Sequence, residues 1–257
     1  MDHENFLLEV TQGVGLLRIN RPEKRNALTA EMVDALANLC REIERRDDIG
    51  VVILTGSGTA FCAGGDIDAW SSESPEAFGR HWVRDGHDAF DCLARLRQPV
   101  IAVLNGHALG GGLELAACAD YRIAEAHIKI GQPEAGLGII AGWSGTQRTV
   151  RRFGAQIVRR MAVLGEVLTA PDARAEGVVD EVVESGKGLE TAQEIAKRVL
   201  SRGPLATELS KMLVNAAEGE DLARVLESLA GRIAAGSDEL RKGLAALRAK
   251  HPPNFRD

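Results

Sequence analysis

Glu114 and Glu134 are the residues best placed by type and spacing to do chemistry. Glu114 lies inside Gly110-Gly111-Gly112-Leu113-Glu114-Leu115-Ala116-Ala117, among glycine and aliphatic neighbours. Glu134 follows Gly131-Gln132-Pro133 and precedes Ala135-Gly136-Leu137-Gly138. A carboxylate in apolar surroundings costs several kcal/mol unless something compensates, and its pKa rises. Two such groups can divide acid and base roles near neutral pH. The glycines beside them suggest a second component. Gly110-Gly111-Gly112 and Ala60-Phe61-Cys62-Ala63-Gly64-Gly65-Asp66-Ile67 each follow an apolar run that reads as a buried strand. Two glycine-rich turns at the ends of two strands can each aim one backbone N–H at a single oxygen. That suits chemistry in which negative charge builds on an acyl carbonyl.

Other chemistries fit less well. The triple glycine lacks GxGxxG spacing and a following acidic partner, which argues against a dinucleotide loop. Cys62 has no neighbouring histidine to activate it. Ser144, in Gly142-Trp143-Ser144-Gly145, falls one residue short of GxSxG. The four cysteines and six histidines show no zinc-ligand spacing, so no metal is expected and the thiols read as reduced and mostly buried. A formal net charge of −6 disfavours general nucleic-acid binding. Neither a signal-peptide pattern nor an apolar run of about 18 residues is visible, so a cytoplasmic location is expected.

The elements that must position these residues follow from periodicity. The 257 residues, 45% hydrophobic and 26% charged, suffice for one large domain or a domain with an appendage. Residues 6–10 and 14–19 read as strands, and Thr29 caps a helix reaching about Arg46 whose Met32, Leu36, Leu39 and Ile43 share a face. Residues 51–54 and 100–104 are continuous apolar runs, as in strands buried on both faces. A helix with polar interruptions is expected over 75–96, a helix from the triple glycine to about Ala119, and short strands over 121–124 and 128–130. This alternation predicts an α/β fold. Beyond about residue 190 strand signals vanish, and helices are expected over 190–201, 205–217, 222–235 and 237–250.

The chain resembles the enoyl-CoA hydratase/isomerase (crotonase) superfamily over essentially its whole length. The resemblance is carried by Asn20-Arg21-Pro22-Glu23-Lys24-Arg25-Asn26-Ala27-Leu28 and by the segment Ala60 to Ile67. Asn105-Gly106-His107-Ala108-Leu109 running into the triple glycine and Glu114 also carries it, as do Gly131-Gln132-Pro133-Glu134, Gly142-Trp143-Ser144-Gly145-Thr146-Gln147-Arg148 and the ending Pro253-Asn254-Phe255. It implies a crotonase-like spiral of ββα units over residues 1–190 and a helical C-terminal trimerisation region over 191–257, with trimers often pairing. It implies an acyl-CoA thioester as substrate and no separate cofactor. By the same resemblance, the N–H groups of Gly65 and Gly111 form an oxyanion hole. Lys24, Arg25, Ala27 and Leu28, together with Ala63, Gly64, Asp66, Ile67 and Asp68, lie along the coenzyme. The acyl group lies toward Gly142 and Trp143.

Superfamily members share the oxyanion hole and differ in catalytic residues, so the resemblance leaves the reaction open. Hydratases keep two glutamates, and the 20-residue separation of Glu114 and Glu134 matches their pattern. Hydration of a 2-enoyl-CoA is therefore expected. The alternatives are a Δ3,Δ2-enoyl-CoA isomerase, a specialised 3-hydroxyacyl-CoA dehydratase and, remotely, a non-catalytic RNA-binding homologue. Three positions depart from the family pattern. Gly65 replaces a frequent alanine or serine, a change expected to matter little for the oxyanion. Trp143 stands where a small residue is common and either narrows the acyl pocket or packs in the core. Leu247 replaces a frequent phenylalanine.

Overall fold

The computed structural model describes residues 4–256. The expected α/β alternation is present. In chain order the strands are β1 (Phe6–Thr11), β2 (Val14–Ile19), β3 (Val51–Gly56), β4 (Val100–Leu104), β5 (Ala108–Leu109), β6 (Tyr121–Glu125), β7 (Lys129–Gly131), β8 (Val167–Thr169) and β9 (Glu181–Val183). Six form one sheet in the order β1-β2-β3-β4-β6-β9, antiparallel only at β1–β2, and the other three form a small sheet in the order β5-β7-β8.

Two strand positions per repeat generate the spiral. After β4 the chain enters β5 in the small sheet, and after β6 it enters β7. The turn after β3 continues this layer, because Cys62 bridges to Ala108 in parallel, and the turn after β2 continues it again through Leu28 and Gly65. Each ββα unit thus lays one strand in each layer beside the unit before it. The crotonase-like spiral is the fold of this chain.

The continuous apolar runs are explained by cover on both faces. Val52 and Leu54 of β3 point into a core with Met32, Leu36 and Leu39 of the helix Ala30–Glu44 and Phe90 and Leu93 of the helix Arg84–Ala94. The alternate residues Val51 and Ile53 point into a second cluster with Ile101, Val103, Ala192 and Ile195. A strand's side chains alternate between faces, so a strand covered twice has no polar positions to offer. Thr29 caps the first of these helices, its side chain accepting from the Met32 N–H at 3.3 Å.

The helix expected over 75–96 is interrupted. Pro75–Ala77 runs into a π-helical stretch, Phe78–Val83, before the α-helix Arg84–Ala94. The wider π turn carries Phe78 and Trp82. The C-terminal helices are Gly188–Leu200, Pro204–Ala217, Leu222–Ala235 and Asp238–Arg248. The chain divides into a unit ending at Glu208 and a unit beginning at Leu209. The helix Gly188–Leu200 supplies the cover of the sheet's second face and belongs to the first unit. No described helix is long and apolar enough to cross a membrane.

Two asparagines fasten the strand ends that lead to the glycine-rich turns. Asn105 Oδ1 accepts from the Gly56 N–H at 3.1 Å, and its Nδ2 donates to Gly56 O at 3.0 Å. Asn26 is fully buried in the left-handed region (φ 57°). Its Nδ2 donates to Ser57 O at 3.0 Å and Ala60 O at 2.7 Å, while its Oδ1 accepts from the Arg21 N–H at 2.9 Å. Asn26→Ala removes all three bonds and is expected to cost about 1–3 kcal/mol. At roughly 2–4 °C per kcal/mol for a chain of this size, the melting temperature should fall by several degrees, and calorimetry at neutral pH checks this.

Candidate active site

The site is a cavity of about 120 Å³ between the turns after β3 and β4 and the segment 133–143. Gly65 and Gly111 meet at its base. A side chain at Gly64 would stand 3.1 Å from the Gly111 N, so the two turns are in van der Waals contact. The bridge between Leu28 and Gly65 uses the Leu28 N–H on Gly64 O and the Asp66 N–H on Leu28 O, both at 2.8 Å, so the N–H of Gly65 takes no part in it. Gly111 opens the helix Gly111–Ala116, where the first N–H groups have no acceptor within the helix. Two N–H donors from successive turns of the spiral thus border one cavity.

Both glutamates line that cavity. Glu114 is buried, and its Oε1 accepts from the Trp143 N–H at 2.7 Å. The Gly145 N–H also faces this carboxyl and favours its ionised form. Burial, reinforced by repulsion from Glu134, pushes the Glu114 pKa up to about 8 against the pull of these N–H groups and of the Arg148 charge. Arg148 is itself fully buried and is held by Asp91 Oδ1 at 2.5 Å. A Cβ at position 145 would overlap the Glu114 carboxyl, so only glycine lets this turn approach so closely. Glu134 is also raised, chiefly by burial. Both its carboxylate oxygens are buried without a protein hydrogen-bond partner. One carboxyl is therefore fixed by the backbone, and the other has its oxygens free for a water or a substrate. Together they can hold and exchange a proton beside two donors suited to an oxyanion.

Of the residues singled out in the sequence, Ala63, Gly64, Gly65, Ile67, Gly111, Glu114, Glu134, Gly142 and Trp143 share this cavity. Lys24, Arg25, Ala27, Leu28, Asp66 and Asp68 lie outside its lining. They form instead a zipped strip: Ala63 N–H donates to Arg25 O at 3.1 Å, Arg21 Nη1 bonds both Ala27 O at 3.0 Å and Asp66 Oδ2 at 2.6 Å, and Lys24 pairs with Asp68 at 3.3 Å. The Leu28 side chain is fully buried in the core, so only its backbone faces this strip. Burial raises the Cys62 thiol to about 12, which keeps it protonated and inert as a nucleophile. Among the described residues, no three His, Cys, Asp or Glu side chains gather as metal ligands.

Comparison with known proteins decides the family. The model of the family described as enoyl-CoA hydratase/isomerase matches residues 9–257. The chain belongs to the enoyl-CoA hydratase/isomerase family. A crotonyl-CoA hydratase of Syntrophomonas wolfei is 35% identical over 99% of both chains. A short-chain-enoyl-CoA hydratase of Clostridium acetobutylicum is 39% identical over 84% of this chain and 82% of its own. The crystal structure of an enoyl-CoA hydratase from Bacillus anthracis superposes with a TM-score of 0.81 at 34% identity, covering 98% of this chain and 99% of that one.

Within this member of the family, sequence reasoning missed the aromatic wall. Trp70, Phe78 and Trp82 line the cavity beside Trp143, so all three tryptophans of the chain stand there. The concentration was a usable signal, since aromatic residues make up only 4% of the sequence. The two readings of Trp143 turn out to be compatible. It is buried, tilted against Trp82 and Phe90 at centroid distances of 4.9 and 5.1 Å, and it also lines the cavity. Gly65 carries a constraint of its own. A Cβ there would lie 2.6 Å from the Trp82 ring, so the glycine makes room for the indole.

Two outcomes follow for this member of the family. Glu114 has a raised pKa when folded, so the folded state holds its proton more tightly than the unfolded chain does. Its contribution to stability is lost as pH rises from the ordinary carboxylate range through about 8, and the deficit is complete above that. Glu114→Gln should therefore gain melting temperature over wild type progressively from pH 5 to pH 8 and then hold a constant lead. Parallel melting curves across that range would refute the burial argument. Separately, Gly65→Ala should lower kcat/KM by displacing Trp82, and adding Trp82→Phe should recover much of the loss. Steady-state kinetics on the three variants test this coupling.

Proposed function

We propose that the protein is an enoyl-CoA hydratase, adding water reversibly across the 2,3 double bond of a 2-enoyl-CoA to give the 3-hydroxyacyl-CoA. The observation that carries this reading is the pair of cavity-facing buried carboxyls, one anchored and one free, beside two glycine N–H groups. The hydratase relatives support it. In this reading the thioester carbonyl sits between the Gly65 and Gly111 N–H groups, each worth about 3 kcal/mol at the transition state. Polarising that carbonyl makes C3 electrophilic and stabilises the enolate formed on attack.

The two glutamates hold the attacking water. Glu114 takes the proton as the water oxygen bonds to C3, and Glu134 delivers a proton to C2. The carbon–carbon π bond is consumed, C–O and C–H bonds form, and the pair keeps one proton throughout, moved from Glu134 to Glu114. That requires the single proton to start on Glu134. Burial is the first cause of the rise at Glu114 and repulsion from an ionised Glu134 the second. Protonating Glu134 removes the second, and the Trp143 N–H and the Arg148 charge then pull Glu114 toward its ionised form against the burial that remains. No cofactor or metal enters this chemistry.

The cavity favours a short acyl chain. An apolar cavity of about 150 Å³ accommodates a benzene-sized guest, and the space here is about 120 Å³, walled in part by Trp70, Trp82 and Trp143. We place the coenzyme along the strip formed by Lys24, Arg25, Ala27, Leu28, Ala63, Asp66 and Asp68. Self-association as a trimer or a pair of trimers is part of the proposal. Leu222 and Leu226 are exposed on the helix Leu222–Ala235, which leaves apolar surface available to another copy.

Glu114→Gln and Glu134→Gln, each shown to be folded, are expected to lower turnover of crotonyl-CoA by roughly 10²–10⁴-fold. Loss of the conjugated thioester absorbance measures this. Near-normal turnover in either variant would remove that residue from the mechanism.

A further inference from the structure

The helical segment 82–91 is tied to the segment 143–148 at three points. Trp143 Nε1 donates to Trp82 O at 2.8 Å, Ser144 Oγ lies 2.8 Å from His87 Nε2 and 3.1 Å from its Nδ1, and Arg148 Nη2 donates to Asp91 Oδ1 at 2.5 Å. The middle tie differs from the others in what it controls. Ser144 stands between the two residues whose backbone N–H groups reach Glu114. It is buried, and it adopts φ 68°, a left-handed conformation that is unfavourable for a serine. Neither a glycine nor a local side-chain-to-backbone bond accounts for that conformation. The Ser144 carbonyl accepts the Arg148 N–H at 3.0 Å, and its side chain meets His87 on the facing helix.

We propose that His87 is a positioning residue for the acid–base site, holding Ser144 in its left-handed conformation so that the flanking Trp143 and Gly145 N–H groups stay aimed at Glu114. This deepens the hydratase reading and rests on it for the kinetic consequence alone. Neither His87 nor Ser144 lines the cavity, so neither touches the substrate. Their effect passes through the turn. When the turn relaxes, Glu114 loses N–H groups that favour its ionised form, and its affinity for a proton increases. The other titratable and charged groups around Glu114 are Glu134 on the turn after β7, Arg148 on the helix Gln147–Phe153, Cys62 on the turn after β3 and Cys118, whose Sγ donates to Glu114 O. All four are unchanged in the variants below.

The test titrates the Glu114 carboxyl in the intact protein by infrared spectroscopy, with the band identified by its absence in Glu114→Gln. His87→Ala and Ser144→Ala should each move the midpoint upward, by similar amounts, and the double variant should add little, because both remove one interaction. On crotonyl-CoA, kcat should fall roughly 10–100-fold, as for a displaced catalytic group, while KM changes less than about twofold. His87→Gln, which keeps a hydrogen-bonding group at that position, should restore the midpoint and most of kcat. A fall in kcat with an unmoved midpoint marks a merely structural role and overturns the proposal, as does wild-type behaviour in either alanine variant. If His87→Ala does not fold, Ser144→Ala, which removes a single oxygen, carries the same comparison. A wild type that fails to hydrate crotonyl-CoA would end the hydratase reading. The infrared midpoint needs no substrate and would still decide the role of His87.

Discussion

An ionisable carboxyl held inside an apolar turn is the constraint on which the rest of this structure depends. Glu114 cannot be buried there without compensation. The compensation is drawn from two other stretches of chain: the segment 143–148, with the N–H groups of Trp143 and Gly145 and the charge of Arg148, and the helix carrying Asp91, which keeps that charge paired. Each element must be in register with the others to within hydrogen-bond distance. The same residues therefore couple folding to function. A glycine at 145 admits the close approach, Trp143 fills the space beside it, and the helix Arg84–Ala94 anchors the segment from behind.

The spiral gives this arrangement its frame. Parallel strands β3 and β4 are neighbours in the sheet, so the turns that follow them are neighbours too. Gly65 lies in the turn after β3 and Gly111 just beyond the short β5 that follows β4, and 46 residues of sequence separate them. Asn26 and Asn105 then fix the strand ends, with bonds to backbone groups between Gly56 and Ala60. In the proposed reaction, backbone donors positioned this way are preorganised and lose little to rearrangement when charge develops. A side chain is unnecessary at either donor. At Gly65 one would be harmful, because the space is occupied by Trp82.

Much of this was legible in the sequence, for physical reasons that also mark where legibility ends. Doubly covered strands leave no polar positions, so β3 and β4 announce themselves as apolar runs. Thr29 and the Met32-Leu36-Leu39-Ile43 face specify their helix locally. The glutamates were visible because carboxyls rarely sit among glycine and aliphatic residues. By contrast, β8 and β9 are three residues each and exist through pairing with distant β7 and β6, which no local pattern encodes. The π turn at Phe78–Val83 is likewise a response to packing, and it places two of the aromatic residues in the cavity wall. Gly65 looked interchangeable with alanine because its backbone role is the same, and the reason it is not lies in an indole 17 residues away. The positions of His87 and Ser144 say nothing about each other in sequence, and only the packing of the helix against the turn reveals their contact.

The central claim is that this cavity adds the elements of water across an enoyl thioester without breaking the thioester or moving the double bond. Incubation with crotonyl-CoA in ¹⁸O-labelled water, followed by mass spectrometry of the intact thioester, addresses it directly. The account predicts a 3-hydroxybutyryl-CoA carrying one ¹⁸O on C3. An unlabelled 3-enoyl-CoA, or free coenzyme A with label in the released acid, would contradict it.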